Sequence, residues 1–352
     1  LEAYEIIDRW MREPAPAVLA TVIRVEGHAY RKPGAMMLLY IDGTRVGTIS
    51  PGCLEDDLSE RAPGVFDEAR TEIIRYNLKH EEDALWGEAV GCGGIVDILL
   101  EPLTGEAALA ICEVSEQLGL GEGAVLSRYR RGSRFSYRVT PITASEEDEY
   151  AGAGADVQKA GELLFTQKLA SRPRLLLFGA GYDAEPVARI ALALGFGVTV
   201  SDWRPRLLSD ARFPGVERVC GMPADMVAAL EVGPKDFTLV MGHQMQKDRA
   251  LLEALLQVRP AYVGVIGSVS RIARLFDGLP MPSFVHAPAG LAIGAEGPEE
   301  IAISIAAELV AVRRRYQGGE THNAIENRGH LLSGRPKQQD GTTEAFPGVC
   351  RW

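Results

Sequence analysis

Two of the five cysteines stand in glycine-containing turns, the settings that most invite a chemical role. Cys53 lies in "TISPGCLEDDLSERA", between a Pro-Gly turn and an acidic, helix-prone run, and Cys92 lies in "VGCGGIVD". A thiol at a helix start can have a lowered pKa and serve as a nucleophile or ligand. Glu55, Asp56 and Asp57 oppose that, because nearby carboxylates disfavour a thiolate. Read from residue type alone, both cysteines fit better as small buried hydrophobes, the usual fate of a free thiol. No Cys-x-x-Cys or His-x-x-x-His pair is present, which argues against a structural zinc site. The odd number of cysteines in a chain of this length argues against a disulfide scaffold and for a cytoplasmic protein with reduced thiols.

A second candidate lies in "LLLFGAGYDAEPVARIALALGFGVTVSDWRPR". An apolar strand runs into Gly179-Ala180-Gly181-Tyr182-Asp183-Ala184 and then a helix. The first glycine permits a tight turn, the second lets backbone approach a pyrophosphate, and Ala184 allows close helix–strand packing. The helix start offers free N–H groups to a phosphate. Asp202 ends the next strand, where an acid can bind ribose hydroxyls. This context predicts a Rossmann unit binding a nucleotide or NAD(P); the bland alternative is a glycine loop that is only a turn. Gly267 and Ser268, in "VGVIGSVSRIARLF", are either a second anion contact or an ordinary Ser-capped helix start. His243 follows a strand and fits a loop residue better than a catalytic one. Arg31 and Lys32, beside Pro33-Gly34, could grip a phosphate or carboxylate, or simply decorate a solvated turn.

The elements that must position these residues fall into two patterns. Residues 1–142 read as α+β: an amphipathic helix over 1–12, a buried strand in "AVLATVIRVEG", a strand–turn–strand in "AMMLLYIDGTRVGTI", and a helix after Cys53 broken near Pro63-Gly64. Strands in "TEIIRYNL" and "GGIVDILLEPL", a helix near 106–119 and a strand pair in "GAVLSRYRRGSRFSYRVT" complete this half. Residues 143–172, acidic and small at first, read as a connecting segment. Residues 173–316 alternate strand and helix with near-continuous apolar strands, the mark of a parallel sheet covered on both faces. Residues 317–352 are polar and aperiodic, the pattern of a tail. The expected class is α/β: a C-terminal Rossmann-like parallel sheet with an α+β N-terminal domain. The 352-residue length suits this division, 46% hydrophobic and 24% charged residues suit a globular chain, and a net charge of -11 argues against nucleic acid as a partner. No apolar run is long enough for a membrane span, and the first residues lack the basic-then-apolar pattern of a signal peptide.

From about Val18 to Tyr316 the sequence resembles the xanthine dehydrogenase accessory proteins, the XdhC/CoxI family. The resemblance is carried by "LATVIRVEGHAYRKPGAMML", "GTISPGCLED", "GCGGIVDILLEPL", "LLLFGAGYDAEPVA", "VSDWRPR", "RFPGVE", "YVGVIGS" and "HAPAGLAIGAEGPEEIAISIAAELVA". It implies a protein that binds the molybdenum cofactor (molybdopterin), supports its sulfuration with a cysteine desulfurase, and delivers it to a xanthine dehydrogenase-type molybdoenzyme. It implies Cys53 as the metal ligand and Cys92 as a second ligand or sulfur relay. Arg31, Gly179, Gly181, Tyr182, Asp202, Gly267 and Ser268 would then serve the anionic and nucleotide parts, in a homo-oligomer that is an accessory protein more than a catalyst. The sequence departs from the family at Pro51, at Tyr182 where histidine is common, and in Val269-Ser270-Arg271 where the family is more basic. The rival expectation is an NAD(P)-dependent oxidoreductase using Gly179, Gly181 and Asp202 with His243 as acid/base.

Overall fold

A computed structural model describes residues 2–78, 94–142 and 161–316. The amphipathic N-terminal run forms helix α1 (Ala3–Arg12), with Glu2 and Glu5 making a reciprocal capping box. The next strands, β1 (Ala17–Glu26), β2 (Met36–Tyr40) and β3 (Arg45–Gly47), are joined antiparallel. Helix α2 (Cys53–Asp67) follows, then β4 (Glu72–Asn77) and β5 (Ile95–Pro102), giving a five-stranded sheet in the order β3-β2-β1-β5-β4.

Alternation along β1 explains its unbroken apolar run. Val18, Ala20 and Val22 face Leu54, Leu58, Ala62 and Val65 of α2. Ala17 and Leu19 face Ile6, Ile7 and Trp10 of α1 and Ala110, Ile111 and Val114 of helix α3 (Gly105–Gly119). Both faces of the strand are covered, so both sets of alternating positions are apolar.

Two expectations are corrected here. Helix α2 runs through Pro63 without a break near Pro63-Gly64; Ala62 and Val65, on either side of the proline, stay buried against the sheet and hold the helix in line. The stretch 143–172, expected as a connection, contains β8 (Glu162–Leu169), which pairs antiparallel with β6 (Gly123–Arg131) beside β7 (Arg134–Ile142). Only Gln167 and Leu169 of β8 are fully buried, so its sequence carries little of the apolar alternation that marks a strand.

The C-terminal strands are β9 (Arg174–Phe178), β10 (Gly197–Asp202), β11 (Glu217–Cys220), β12 (Phe237–Val240), β13 (Tyr262–Val265) and β14 (Val285–His286). All pair in parallel, in the order β11-β10-β9-β12-β13-β14, the doubly wound Rossmann order. Helices α4 (Ala184–Ala193) and α8 (Gly297–Tyr316) cover one face; α5 (Pro223–Ala229), α6 (Met245–Val258) and α7 (Val269–Leu275) cover the other. The order reverses between β9 and β12, which opens a crevice at their carboxyl ends. Among the described residues, no helix is long and apolar enough to cross a membrane.

Candidate functional site

The turn leading to Cys53 is built around a buried carboxylate. Glu55 accepts the Ile49 N–H at 2.9 Å and the Ser50 N–H at 2.7 Å, and it also accepts the Ser50 hydroxyl. The same hydroxyl oxygen accepts the N–H groups of Gly52 at 3.1 Å and Leu54 at 3.2 Å. Ser50 therefore satisfies donors at the start of α2 that the helix itself leaves open. Gly52 has φ +135°, in the region that favours glycine. The segment Ser50-Pro51-Gly52-Cys53-Leu54-Glu55 is thus a closed device whose product is the position of Cys53 as the first residue of α2.

The three acids that argued against a thiolate are all engaged elsewhere. Glu55 turns back onto backbone N–H groups, and Asp56 pairs with Arg45 at 2.8 Å. Asp57 pairs with Arg61 at 2.8 Å and accepts the Tyr76 hydroxyl. Burial opposes ionisation of Asp57, but Arg61 and Tyr76 outweigh it and hold the carboxyl below its usual range. Sequence order put three negative charges beside the cysteine; the fold gives each its own donor.

The loop carrying Arg31 and Lys32 follows β1. Gly34, at φ +92°, donates its N–H to the Val22 carbonyl at 2.7 Å, and its own carbonyl accepts the Gln167 side chain at 2.8 Å. Gln167 also accepts from Arg128 at 3.1 Å, and Arg128 is fully buried against Glu101. Arg31 is half-buried and Lys32 exposed, and among the described residues neither forms an ion pair. Ala29 and Ala35 of this loop pack on the same core layer as Ile49 and Leu54 at the Cys53 turn. Cys92 lies outside the described residues. Gly94, two positions on, approaches the loop so closely that a Cβ there would meet the His28 carbonyl oxygen at 2.5 Å. Among the described residues, no cluster of three or more His, Cys, Asp or Glu side chains could hold a metal ion.

The glycine loop sits at the switch point. Gly179, at φ +119°, has no room for a side chain: a Cβ would lie 2.8 Å from the Met241 carbonyl carbon, in the chain leaving β12. A Cβ on Gly181 would come 3.4 Å from His243 Nε2, so the imidazole faces the loop across the crevice. Ala184 is fully buried where α4 meets the sheet, and Tyr182 is exposed. Sequence reasoning missed Arg212, which sits in the "RFPGVE" segment. Its guanidinium donates to the carbonyls of Ala180, Gly181 and Leu207 at 3.0, 3.0 and 2.8 Å and pairs with Glu185 at 2.6 Å. Arg212 thereby fixes the loop from its carbonyl side.

Asp202 departs from the expected ribose acid. Its side chain is 1% exposed. One oxygen accepts the Ala180 N–H at 2.8 Å and Arg204 Nη2 at 2.9 Å; the other accepts the Arg204 N–H at 2.8 Å and Arg204 Nε at 2.9 Å. Burial opposes its ionisation, but Arg204 and the two backbone donors outweigh burial and hold the carboxyl below its usual range. The crevice beside it, about 370 Å³ and open to solvent, is walled by Gly179, Trp203, Arg204, His243 and Lys247.

The second loop behaves as a capped helix start. Ser268 accepts the Arg271 N–H at 3.3 Å, and Gly267 lies against the Arg271 side chain. Arg271 is spent on the carbonyls of Ile266 and Gly242 and on buried Asp248. Burial pushes the Asp248 carboxyl up, against the pull of Arg271 and His243.

A two-layer α+β unit followed by a doubly wound dinucleotide-type domain is the architecture these sites share, and comparison with known proteins assigns it. The profile of the XdhC and CoxI family matches residues 10–77, and that of the XdhC Rossmann domain matches residues 175–309. A Bacillus subtilis (strain 168) relative, described as one of the probable subunits of xanthine dehydrogenase, is 35% identical over 329 residues, covering 89% of this chain and 98% of the relative. The Escherichia coli (strain K12) molybdenum cofactor insertion chaperone PaoD is 23% identical over 308 residues, covering 84% of this chain and 83% of that one. The crystal structure of a Bacillus halodurans protein described as a xanthine dehydrogenase superposes with a TM-score of 0.79 at 34% identity, covering 94% of this chain and all of that one. The chain belongs to the XdhC/CoxI family.

Proposed function

We propose that this protein is a molybdenum cofactor carrier: it holds the cofactor for sulfuration by a cysteine desulfurase and hands it to a xanthine dehydrogenase-type molybdoenzyme. The observation that carries this reading is the closed Ser50–Glu55 turn, which commits a buried carboxylate and a buried hydroxyl to placing one cysteine at a helix start. A purely packing cysteine needs no such apparatus. The donor chemistry fits the cargo: a thiolate is a soft ligand suited to a molybdenum–sulfur centre, and the positive end of α2 favours the thiolate form. In this reading Cys53 binds the metal, and Cys92 is a second ligand or sulfur relay. Arg31 faces the anionic part of the pterin, and the loop at Gly179, Gly181 and Tyr182 takes a phosphate or nucleotide. Similarity along most of the chain to a molybdenum cofactor insertion chaperone supports the same assignment.

The test is to purify the protein from molybdenum-replete cells and measure bound molybdenum and pterin. The parent is expected to retain both, and Cys53→Ala to lose them while staying folded. Equal molybdenum in parent and variant would remove Cys53 as the ligand.

The oxidoreductase alternative has less behind it. Asp202 is saturated within the chain, and His243, the acid/base it requires, is an exposed residue of the loop after β12. Steady NAD(P)H oxidation lost in His243→Ala and kept in Cys53→Ala would establish it instead.

A further inference from the structure

The crevice beside the glycine loop holds a charge arrangement that a bare ribose does not explain. An acid at the end of the second Rossmann strand ordinarily binds a ribose diol by accepting its two hydroxyls. A carboxylate offers about four acceptor positions, and at Asp202 all four are filled, two of them by the forked Arg204 guanidinium. No acceptor is left for a diol.

What remains in the crevice is positive. Asp202 is balanced by Arg204, and Asp248 by Arg271. Lys247, reaching over from the first turn of α6, has its ammonium 4.5 Å from the centre of the Trp203 ring and bonded to the neutral Gln244 side chain at 2.5 Å. Among the described residues it meets no carboxylate. The Arg204 guanidinium lies 5.5 Å from the same ring. The indole therefore gathers two cationic side chains at the mouth of the crevice, where the ribose edge of a nucleotide on the glycine loop would lie.

We infer that this crevice binds a nucleotide whose ribose carries a phosphomonoester, as in the 2′-phosphoadenosine half of NADP, with Lys247 and Arg204 as its anion contacts. The inference rests on the nucleotide part of the function proposed above. A phosphomonoester brings a charge of nearly two and three strong acceptors, which match one unbalanced ammonium and a guanidinium fork. Asp202 then acts as a positioning residue: it orients Arg204 and ties it to the Ala180 N–H of the glycine loop.

Calorimetric titration of the full chain with NADP⁺ and NAD⁺ tests this, with 2′,5′-ADP and ordinary ADP as half-ligands of similar charge. NADP⁺ is expected to bind about tenfold or more tighter than NAD⁺, and 2′,5′-ADP tighter than ADP. In Lys247→Gln the ratio should fall to within about threefold. In Arg204→Gln, which frees the Asp202 carboxylate for a diol, preference should move toward NAD⁺. Equal or tighter NAD⁺ binding by the parent, no binding of either, or a preference that survives Lys247→Gln would overturn the inference. Molybdenum and pterin content of the same preparations separates the two claims. Loaded protein without an NADP⁺ preference removes only the ribose-phosphate site; protein that prefers NADP⁺ but holds no molybdenum removes only the carrier reading.

Discussion

Replacing Glu55 by alanine should cost more stability than any neighbouring acidic substitution, because only Glu55 is buried on backbone donors. The carboxylate accepts two backbone N–H groups, from Ile49 and Ser50, and the Ser50 hydroxyl. Alanine leaves those two N–H groups without a partner in a buried turn. Each such orphan costs roughly 1–3 kcal/mol, a range of about 2–6 kcal/mol, and water entering the vacated space draws the expected loss to about 2–4 kcal/mol. Glutamine keeps one carbonyl oxygen for the N–H groups but offers an amide to the hydroxyl, so its loss should be about 1 kcal/mol. Asp56→Ala removes only an exposed pair with Arg45 and should change stability by about 0–1 kcal/mol. Urea denaturation followed by circular dichroism reads all three. The cofactor assay adds a second readout: Glu55→Gln, folded but with a loosened turn, should retain less molybdenum than the parent, while Asp56→Ala retains as much. If Glu55→Ala unfolds at the same urea concentration as Asp56→Ala, the turn is not the built feature described here.

The glycine loop and its neighbours give three further expectations. Gly179→Ala forces a side chain into positive φ and onto the Met241 backbone, a loss of about 2 kcal/mol or more, whereas Gly181→Ala should stay within about 1 kcal/mol and act on nucleotide affinity instead; thermal unfolding with and without ligand separates them. Arg212→Leu strips three loop carbonyls of their donor and should weaken nucleotide binding about tenfold, measured by calorimetry, with Arg212→Lys recovering part of it. Asp202, with its folded pKa depressed, contributes stability that is present above its unfolded pKa of about 3.9 and lost as pH falls through the folded value; the gap in stability between parent and Asp202→Asn should therefore narrow as pH drops from about 5 to 3, and a gap constant with pH would contradict the pairing.

How much of this was legible in the residues varies with the range of the physics involved. The Rossmann half was readable because its signals are local: apolar strands buried on both faces, a glycine loop entering a helix, and charge order along α8, with Glu299 and Glu300 at its start and Arg313 to Arg315 at its end. Strand β8 was not, because it lies half in solvent and takes its identity from β6, more than thirty residues away. Arg212 was invisible for a related reason: an arginine in a turn looks like surface until the loop it grips, some thirty residues upstream, is folded beside it.

The acids around Cys53 show the limit most sharply. Sequence counts charges; it does not count their partners. Glu55, Asp56 and Asp57 read as a field hostile to a thiolate, but one carboxylate turns inward to build the turn and the other two are claimed by Arg45 and by Arg61 with Tyr76. Asp202 reverses the lesson. There the motif promised an acceptor for ribose, and an arginine two residues away takes it up. In both places the chemistry is set by which donor reaches the carboxylate first, and that is decided by backbone geometry over two to eleven residues, a range that composition and spacing leave open.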